Sequence, residues 1–465
     1  MNNSNNEHWR ENQSIPKEPA EFRWKQFIWL VILLLHVALA LAMNASRLVS
    51  TAHAIITLSA GIFIVLSARN ARRIAWVTAY ISGAEILWRM TEAAVFWEYA
   101  KYAIVLLMVL ALLRMKKVQN AALPVFYFVP LLFSIPLTLF NLPFNHAREA
   151  ISSNLSGPLS LAMSVMFFYQ VNLSWKEREI TSWYLVSPVI GIAALCVRSI
   201  LTAEELMFTS NANFITSAGY GPNQVSAILG LGALLLLLIS LKQSSNLKRW
   251  FPMLTAYGLV ALSALTFSRG GLYNLAASIV ILGVFSLRSS RMRRVLIPAI
   301  MISLLIGAFV FYPRLNDFTE GMLKVRFSDT SLTGRDRIMQ AEFAAWMDHP
   351  LLGVGPGLEE KYVIDFFGKP VAPHTEYTRV LASHGFFGLI SLFALAMICL
   401  KTVLRAPKNL AQGWSAALIT WSVMEMMHAA MRISAIGFVI GLAAAGWATE
   451  ENNTPTTKNE LAPHR

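Results

Sequence analysis

A histidine and several polar side chains stand together where a long polar segment meets an apolar run. In PHTEYTR, residues 373–379, His374 is followed by Glu376, Tyr377 and Arg379. Histidine is the side chain whose unperturbed pKa lets it act as a base near neutral pH. His374 is therefore a candidate base for a hydroxyl group, although a histidine in this place can also serve as a helix cap or interface anchor.

Arginines in two other segments are candidates for binding an anion. SRGG, residues 268–271, places Arg269 in a short turn between apolar helices, and its glycines would let a ligand approach the backbone. The alternative is an arginine that snorkels to lipid headgroups. TGRDR, residues 333–337, opens a helix, so Arg335 and Arg337 stand beside free N–H groups of its first turn. A solvated, salt-bridged helix start is the competing interpretation.

Other motifs and charges point to structure at least as strongly as to chemistry. GVGPG, residues 353–357, resembles a phosphate loop only superficially, because it lacks a following Lys-Ser/Thr pair and a βαβ context, and we interpret it as a helix stop and turn. Two groups of charged residues inside apolar helices are explained by internal salt bridges or by substrate binding: Glu85, Arg89 and Glu92, and Glu425, His428 and Arg432. No motif for ATP or a metal ion is present in the sequence, so no cofactor is predicted.

The composition indicates which elements position these residues. Of the 465 residues, 55% are hydrophobic and 14% are charged, whereas soluble domains carry roughly 25% charged residues. Apolar runs long enough to cross a bilayer recur from Phe27 to Trp447. The sequence therefore predicts an all-α, polytopic transmembrane bundle of about 12–14 helices with one large, partly helical outer loop.

The distribution of basic residues agrees with a membrane protein. The net charge is +13, but most Lys and Arg fall in the two tails and in alternate short segments between the apolar runs. That is the positive-inside pattern, which argues against a nucleic-acid surface. Cys196 and Cys399 both lie in apolar helices, so neither a disulfide framework nor a metal cluster is indicated.

These patterns divide the chain into five expected regions. They are a cytoplasmic tail (1–26), a transmembrane region (27–311), a large outer loop with the candidate catalytic motifs (312–376), further transmembrane helices (377–448) and a second cytoplasmic tail (449–465).

Four motifs in a fixed order resemble the O-antigen ligase and O-antigen polymerase superfamily of bacterial inner-membrane proteins. They are GPNQVSAILGLG (221–232), TFSRGGL (266–272), TGRDRIMQAEFAAWMDHPLLGVGPG (333–357) and PHTEYTRVLASHGFFGL (373–389). The resemblance extends clearly over about residues 210–400.

The resemblance implies a glycosyltransferase that needs neither a metal nor a nucleotide. It would move an oligosaccharide from undecaprenyl diphosphate to an acceptor hydroxyl, such as lipid A-core, in the periplasm. Arg269 and Arg335 would bind the diphosphate and His374 would activate the acceptor. Asn223 and Gln224 would help to hold the donor.

Three further residues of these motifs are added to the site. Arg337 has no counterpart in the family pattern and is added to the diphosphate site, while Glu376 and Tyr377 are added as donor or acceptor contacts. The expected partners are the lipid-linked oligosaccharide, lipid A-core or a glycan acceptor, and membrane lipids, but not nucleic acid. The oligomeric state is not predicted.

Three alternatives stay open. A polymerase would use a carrier-linked repeat as the acceptor or build an exopolysaccharide. A protein O-glycosyltransferase would be expected to have an extra soluble domain after the last helix. A flippase or transporter of a polyprenyl-linked glycan would be expected to place its charges and broken helices near the bilayer midplane.

Overall fold

Nearly all of the described chain is helical. The structure is a computed structural model that describes residues 20–68, 70–243, 246–329, 334–368 and 375–448. Within these ranges the strands are a two-residue parallel pair, β1 (Asn172–Leu173) and β2 (Gly446–Trp447). The predicted all-α class is confirmed.

The first half of the chain contributes eight α-helices and one 3₁₀ segment. These are α1 (Ala20–Ala45), α2 (Arg47–Ser67), α3 (Arg72–Met90), α4 (Tyr99–Leu113), α5 (Ala122–Phe128), the 3₁₀ turn Val129–Ser134, α6 (Ile135–Asn141), α7 (Phe144–Phe168) and α8 (Trp175–Thr202). The 3₁₀ turn contains Pro130 near its start and α6 contains Pro136. Because proline lacks an N–H donor, it interrupts the α-helical hydrogen bonding there.

The second half contributes the remaining helices. These are α9 (Pro222–Ser240), α10 (Asn246–Leu265), α11 (Arg269–Ser286), α12 (Ser290–Ile306), the π turn Gly307–Phe311, α13 (Tyr312–Phe318), α14 (Met322–Ser328), α15 (Arg335–Asp348), α16 (Glu360–Phe367), α17 (Glu376–Arg405), α18 (Leu410–Ala429) and α19 (Ala435–Ala444).

The apolar helices make this a multi-pass membrane protein. Across the described ranges, nine helical segments are long and apolar enough to span a bilayer, and α4 and α19 are shorter apolar helices. Many large apolar side chains on the outer helices are exposed, such as Leu35 on α1, Phe63 on α2 and Met301 on α12. Such extensive apolar exposure would be unfavourable in water, whereas in a bilayer it is the surface that lipid covers.

The segment that follows α15 docks into a break in α17. Gly385 interrupts this helix with φ 57° and ψ −134°. The backbone N–H groups of Val354 and Gly355 donate to the carbonyls of Ala382 and Ser383, at 2.9 and 3.0 Å. GVGPG is therefore a turn that follows α15, as predicted, and its backbone satisfies carbonyls that the break in α17 would leave unpaired.

Candidate active site

One of the two glycines of SRGG, Gly271, serves helix packing. A Cβ atom at Gly271 would overlap the carbonyl oxygen of Ser226 on α9, and one at Gly230 would lie 2.6 Å from the carbonyl oxygen of Gly271. A Cβ at Gly270 would make only ordinary contacts, 3.6 Å from the Cβ of His428. The group that approaches the backbone closely at Gly271 is therefore another helix, and this contact fixes the start of α11.

Two arginines join the SRGG turn and α14 by reciprocal hydrogen bonds. Arg269 begins α11, and its Nη1 donates to the carbonyl oxygen of Asp329 at the end of α14. Arg326 on α14 donates from Nε to the carbonyl oxygen of Phe267, at 2.9 Å. Phe267 has a φ of 58°, which is unusual for a side chain of its size. The reciprocal contacts place two guanidinium groups beside one turn.

A third arginine reaches the same region from α15. Nη1 of Arg335, the first residue of α15, lies 2.9 Å from Nδ1 of His428 in the last turn of α18. One turn earlier on α18, Glu425 accepts a hydrogen bond of 2.6 Å through Oε2 from the side chain of Asn274 on α11. Helices α11, α15 and α18 therefore meet through polar side chains.

The positive charges act on one another. Burial, followed by the charge of Arg269, lowers the pKa of Arg335, and Arg326 and Arg432 act in the same direction. Burial and then Arg269 also lower the pKa of Arg326. We call Arg269, Arg326, Arg335 and Arg432 the arginine cluster. Three of these cations repel Arg335, and such a group of cations is suited to an anion with more than one negative charge.

The structure shows the surroundings of three further predicted site residues near the cluster. Asn223 accepts a 2.8 Å hydrogen bond from the hydroxyl of Ser268, next to Arg269. Oε1 of Gln224 accepts a 2.9 Å hydrogen bond from the Tyr220 hydroxyl. Arg337 is exposed two residues after Arg335, and residues two apart on a helix point in different directions.

The predicted residues at the start of α17 contact protein groups. His374 lies outside the described residues. Glu376 bonds the guanidinium of Arg379 at 2.6 Å and accepts from the backbone N–H of Met431 at 3.2 Å. The Tyr377 hydroxyl donates to the carbonyl oxygen of Val423 at 3.0 Å. Glu376 and Tyr377 thus join α17 to α18 and the turn that follows it.

A cavity of about 710 Å³ lies beside this junction. It is lined by residues of α7, α15, α16, the first turn of α17 and positions 430–432, and also by Gln224 and Trp97. Of the described residues, Arg432 is the one that belongs both to the cavity lining and to the arginine cluster. The cavity and the cluster are therefore neighbouring parts of one region.

The sequence motifs missed part of this arrangement. Arg326 lies in MLKVRFS, which carries no recognisable motif. Glu425 and His428, two of the charged residues that the sequence places in apolar helices, bond Asn274 and Arg335, and the charges of Arg335 and Arg432 act on Glu425. The Glu85–Arg89 pair does form the expected salt bridge, at 2.7 Å.

The comparisons with known proteins agree with the motifs. Residues 254–393 match the family model described as O-antigen ligase. The matched segment includes SRGG, TGRDR and PHTEYTR, whereas Asn223, Gln224 and His428 lie outside it. No curated protein matches the chain significantly. The match confirms the resemblance identified from the sequence: residues 254–393 form a domain of the O-antigen ligase superfamily, within a multi-pass membrane protein.

Proposed function

We propose that this protein transfers an oligosaccharide or polysaccharide from undecaprenyl diphosphate to an acceptor hydroxyl, with lipid A-core as the acceptor. The observation that carries the proposal is the convergence of arginines from α11, α14 and α15 within a domain of the O-antigen ligase superfamily. A diphosphate is an anion of the size and charge that such a cluster favours.

The leaving group explains why arginines would suffice. As the bond between the anomeric carbon and the diphosphate oxygen breaks, negative charge grows on the diphosphate. A charge-assisted hydrogen bond contributes roughly 1.5–3 kcal/mol, so Arg269 and Arg335 together would lower the barrier substantially. The carrier diphosphate is already an activated donor, and the reaction does not require ATP.

His374 is the proposed general base. It would take the proton of the acceptor hydroxyl while the acceptor oxygen bonds to the anomeric carbon and the diphosphate departs with the bonding electrons. General-base catalysis typically contributes about 10²–10⁴-fold in rate. Direct displacement inverts the anomeric configuration, so a retained configuration in the product from a donor of defined anomer would exclude this mechanism.

The proposed location is the bacterial inner membrane, with both termini in the cytoplasm and the arginine cluster on the periplasmic side. The alternation of basic and non-basic segments along the sequence supports this orientation. The outer loop of residues 312–376 would then cover the reacting groups from the periplasm.

Purified protein and a labelled polyprenyl-diphosphate oligosaccharide test the proposal directly. The reaction is run with chelator and without nucleotide, and lipid A-core is added to half of the samples. Label that moves to lipid A-core supports the ligase. A labelled glycan that grows longer while it stays on the carrier makes the protein a polymerase instead. If the carrier moves across vesicle membranes and no label is transferred, the proposed transferase activity is rejected and a transporter is favoured.

Two histidine variants test the base. His374→Ala should lose transfer by about 10²-fold or more. His349→Ala is the matched control, because His349 is an exposed histidine at the end of α15. Equal activity of the two variants would remove His374 from the mechanism.

A further inference from the structure

Helix α15 and the residues just after it expose large apolar side chains. Phe343 and Met347 are 48% and 62% exposed, and Leu351 and Leu352 are 62% and 37% exposed. We call residues 343–352 the apolar segment. The exposed polar residues of the helix stand mostly nearer its start: Asp336, Arg337 and Gln340. An exposed apolar surface of this kind indicates a partner other than water.

The apolar segment ends against the break in α17. The backbone N–H of Phe386 donates to the carbonyls of Pro350 and Leu351, at 2.7 and 3.0 Å. A Cβ atom at Gly385 would lie 2.7 Å from the carbonyl carbon of Leu351, so the two chains are in close contact. Phe386 is ten residues after Glu376, the first residue of α17, which corresponds to about 15 Å along a helix. Leu351 therefore lies well away from the end at which α17 begins.

A second apolar stretch measures the same depth independently. Residues 122–141 form one helical stretch of 20 residues that is long and apolar enough to span a bilayer. Its Phe133 stacks on Phe387, the residue after Phe386, with ring centroids 4.8 Å apart. Further along, the hydroxyl of Thr138 donates to the carbonyl of Pro356 in GVGPG, at 3.0 Å. The stretch therefore runs beside the break in α17 and then beside GVGPG.

These contacts place Leu351 at the level of acyl chains. Phe133 lies eight residues before Asn141, where the stretch ends, and that corresponds to roughly 12 Å along a helix. The hydrocarbon core of a bilayer is about 30 Å thick, so this level is inside one leaflet. Phe386 is itself 49% exposed, and Leu351 beside it continues the surface that α17 presents to lipid.

The backbone that follows the apolar segment is hydrogen-bonded within the protein. Gly353 donates to the carbonyl of His349 at 3.0 Å, and Val354 and Gly355 donate to carbonyls of α17. A Cβ atom at Gly353 would overlap the backbone of His384, so the chain lies directly on α17. Irregular backbone is tolerated at membrane depth only where the protein pairs its polar groups. The contacts with α17 provide that pairing.

The polar side chains of the apolar segment are compatible with this place. The Asp348 carboxylate interacts with the Tyr362 hydroxyl on α16. Successive residues of a helix point about 100° apart, so Asp348 faces away from Met347. His349 ends the helix, and a histidine has an apolar ring body with a polar tip that can reach lipid headgroups. No charged group therefore has to face the acyl chains.

We propose that the apolar segment is re-entrant, and that its exposed side chains contact the acyl chains of bilayer lipids in the leaflet on the side of the arginine cluster. Lipid is the occupant because the surface is continuous with exposed apolar residues of α17, a helix that is long and apolar enough to span the bilayer: Phe386, Leu389 and Phe393. The proposal does not depend on the proposed function. Because Arg335 is the first residue of α15, the same contact would fix the height of Arg335 relative to the bilayer.

Spin-label accessibility in phospholipid nanodiscs tests the proposal. In the full-length protein the native Cys196 and Cys399 are replaced by alanine, and a nitroxide is attached at Met347→Cys. Collisions of the nitroxide with oxygen, which concentrates among acyl chains, are compared with collisions with a water-soluble nickel chelate. Phe63→Cys on α2, at a 70% exposed position, is the control for lipid. Arg337→Cys, at an exposed position nearer the start of α15, is the control for water.

Oxygen collisions should dominate at Met347→Cys, as at Phe63→Cys, whereas nickel collisions should dominate at Arg337→Cys. Dominant nickel collisions at Met347→Cys would overturn the proposal, because the apolar segment would then stand in water. A nitroxide shielded from both reagents there would also overturn it, because a protein, such as a second copy of this chain, would then cover the surface. Phe343→Cys, one turn earlier on the helix, provides the same test if the Met347 variant does not fold.

Discussion

Arg335 Nη1 lies 2.9 Å from His428 Nδ1, so the first residue of the loop helix α15 is bonded to the last turn of α18. A guanidinium group only donates hydrogen bonds, so His428 must accept through Nδ1 and carry its proton on Nε2. Nε2 is buried and has no partner in the described part of the chain. His428 is therefore a positioning residue for Arg335.

Loss of this contact should weaken the proposed donor site. His428→Ala should lower transfer efficiency by about tenfold, because one hydrogen bond to a charged group contributes roughly 1.5–3 kcal/mol. The effect should lie mainly in KM for the lipid-linked donor if Arg335 binds the diphosphate equally in substrate and transition state. His428→Gln, which retains an acceptor oxygen, should recover part of the loss. A fall in kcat with KM unchanged, without rescue by glutamine, would contradict the positioning role.

Arg335 and Arg337 provide a test within one helix turn. Arg335→Ala should reduce transfer efficiency by about 10- to 100-fold, as expected for a lost charge-assisted contact with the diphosphate. Arg337→Ala removes the same charge from an exposed position and should retain near wild-type transfer. Radiolabelled transfer at several donor concentrations measures both. A larger loss in Arg337→Ala than in Arg335→Ala would reverse the assignment made from the structure.

The two glycines of SRGG should respond differently to the same small change. Gly271→Ala would push the new methyl group against the carbonyl of Ser226, which belongs to a tightly packed helix and cannot move alone. Overpacking of this kind typically costs about 1–3 kcal/mol. The thermal midpoint in detergent should therefore fall clearly.

Gly270→Ala is the matched control for this packing contact. Its methyl group would meet His428 at ordinary distances, so the midpoint should stay near that of the wild type or rise slightly, because alanine favours a helix over glycine by about 1 kcal/mol. If both variants melted alike, close approach of α9 and α11 would not explain the glycine at position 271.

The sequence identified the parts of the site that carry local motifs. Arg269 and Arg335 stand beside glycines at helix starts, and the structure brings their charges together. Arg326 could not be predicted, because its contact is with the carbonyl of Phe267, whose left-handed backbone is visible only in the fold. A contact between residues 59 positions apart leaves no local pattern.

The buried face of α15 shows a second limit of sequence patterns. Ile338, Phe343 and Met347 lie at helical spacing, yet Ile338 is buried while Phe343 and Met347 are 48% and 62% exposed. Glu342 is fully buried in their place. Which face of a loop helix turns inward depends on the distant helix it packs against, here α17. The existence of helix α15 was therefore predictable from periodicity, whereas the polar lining that it gives to the cavity was not.

Glu342 should make the stability of the protein depend on pH. Burial raises its pKa from 4.5 to about 8, so between these values the folded protein holds a proton that the unfolded chain has lost. Folding stability should therefore fall as pH rises through this window, by up to about 1.4 kcal/mol per pH unit.

Glu342→Gln removes the ionisation, so the fall in its thermal midpoint from pH 6 to pH 9 should be smaller than in the wild type. Glu359, whose pKa burial also raises, should leave a residual slope. Glu360→Gln, at an exposed position, is the control, and its thermal midpoint should change with pH as in the wild type. If the midpoint of Glu342→Gln changed with pH just as much, Glu342 would be ionised in the folded protein.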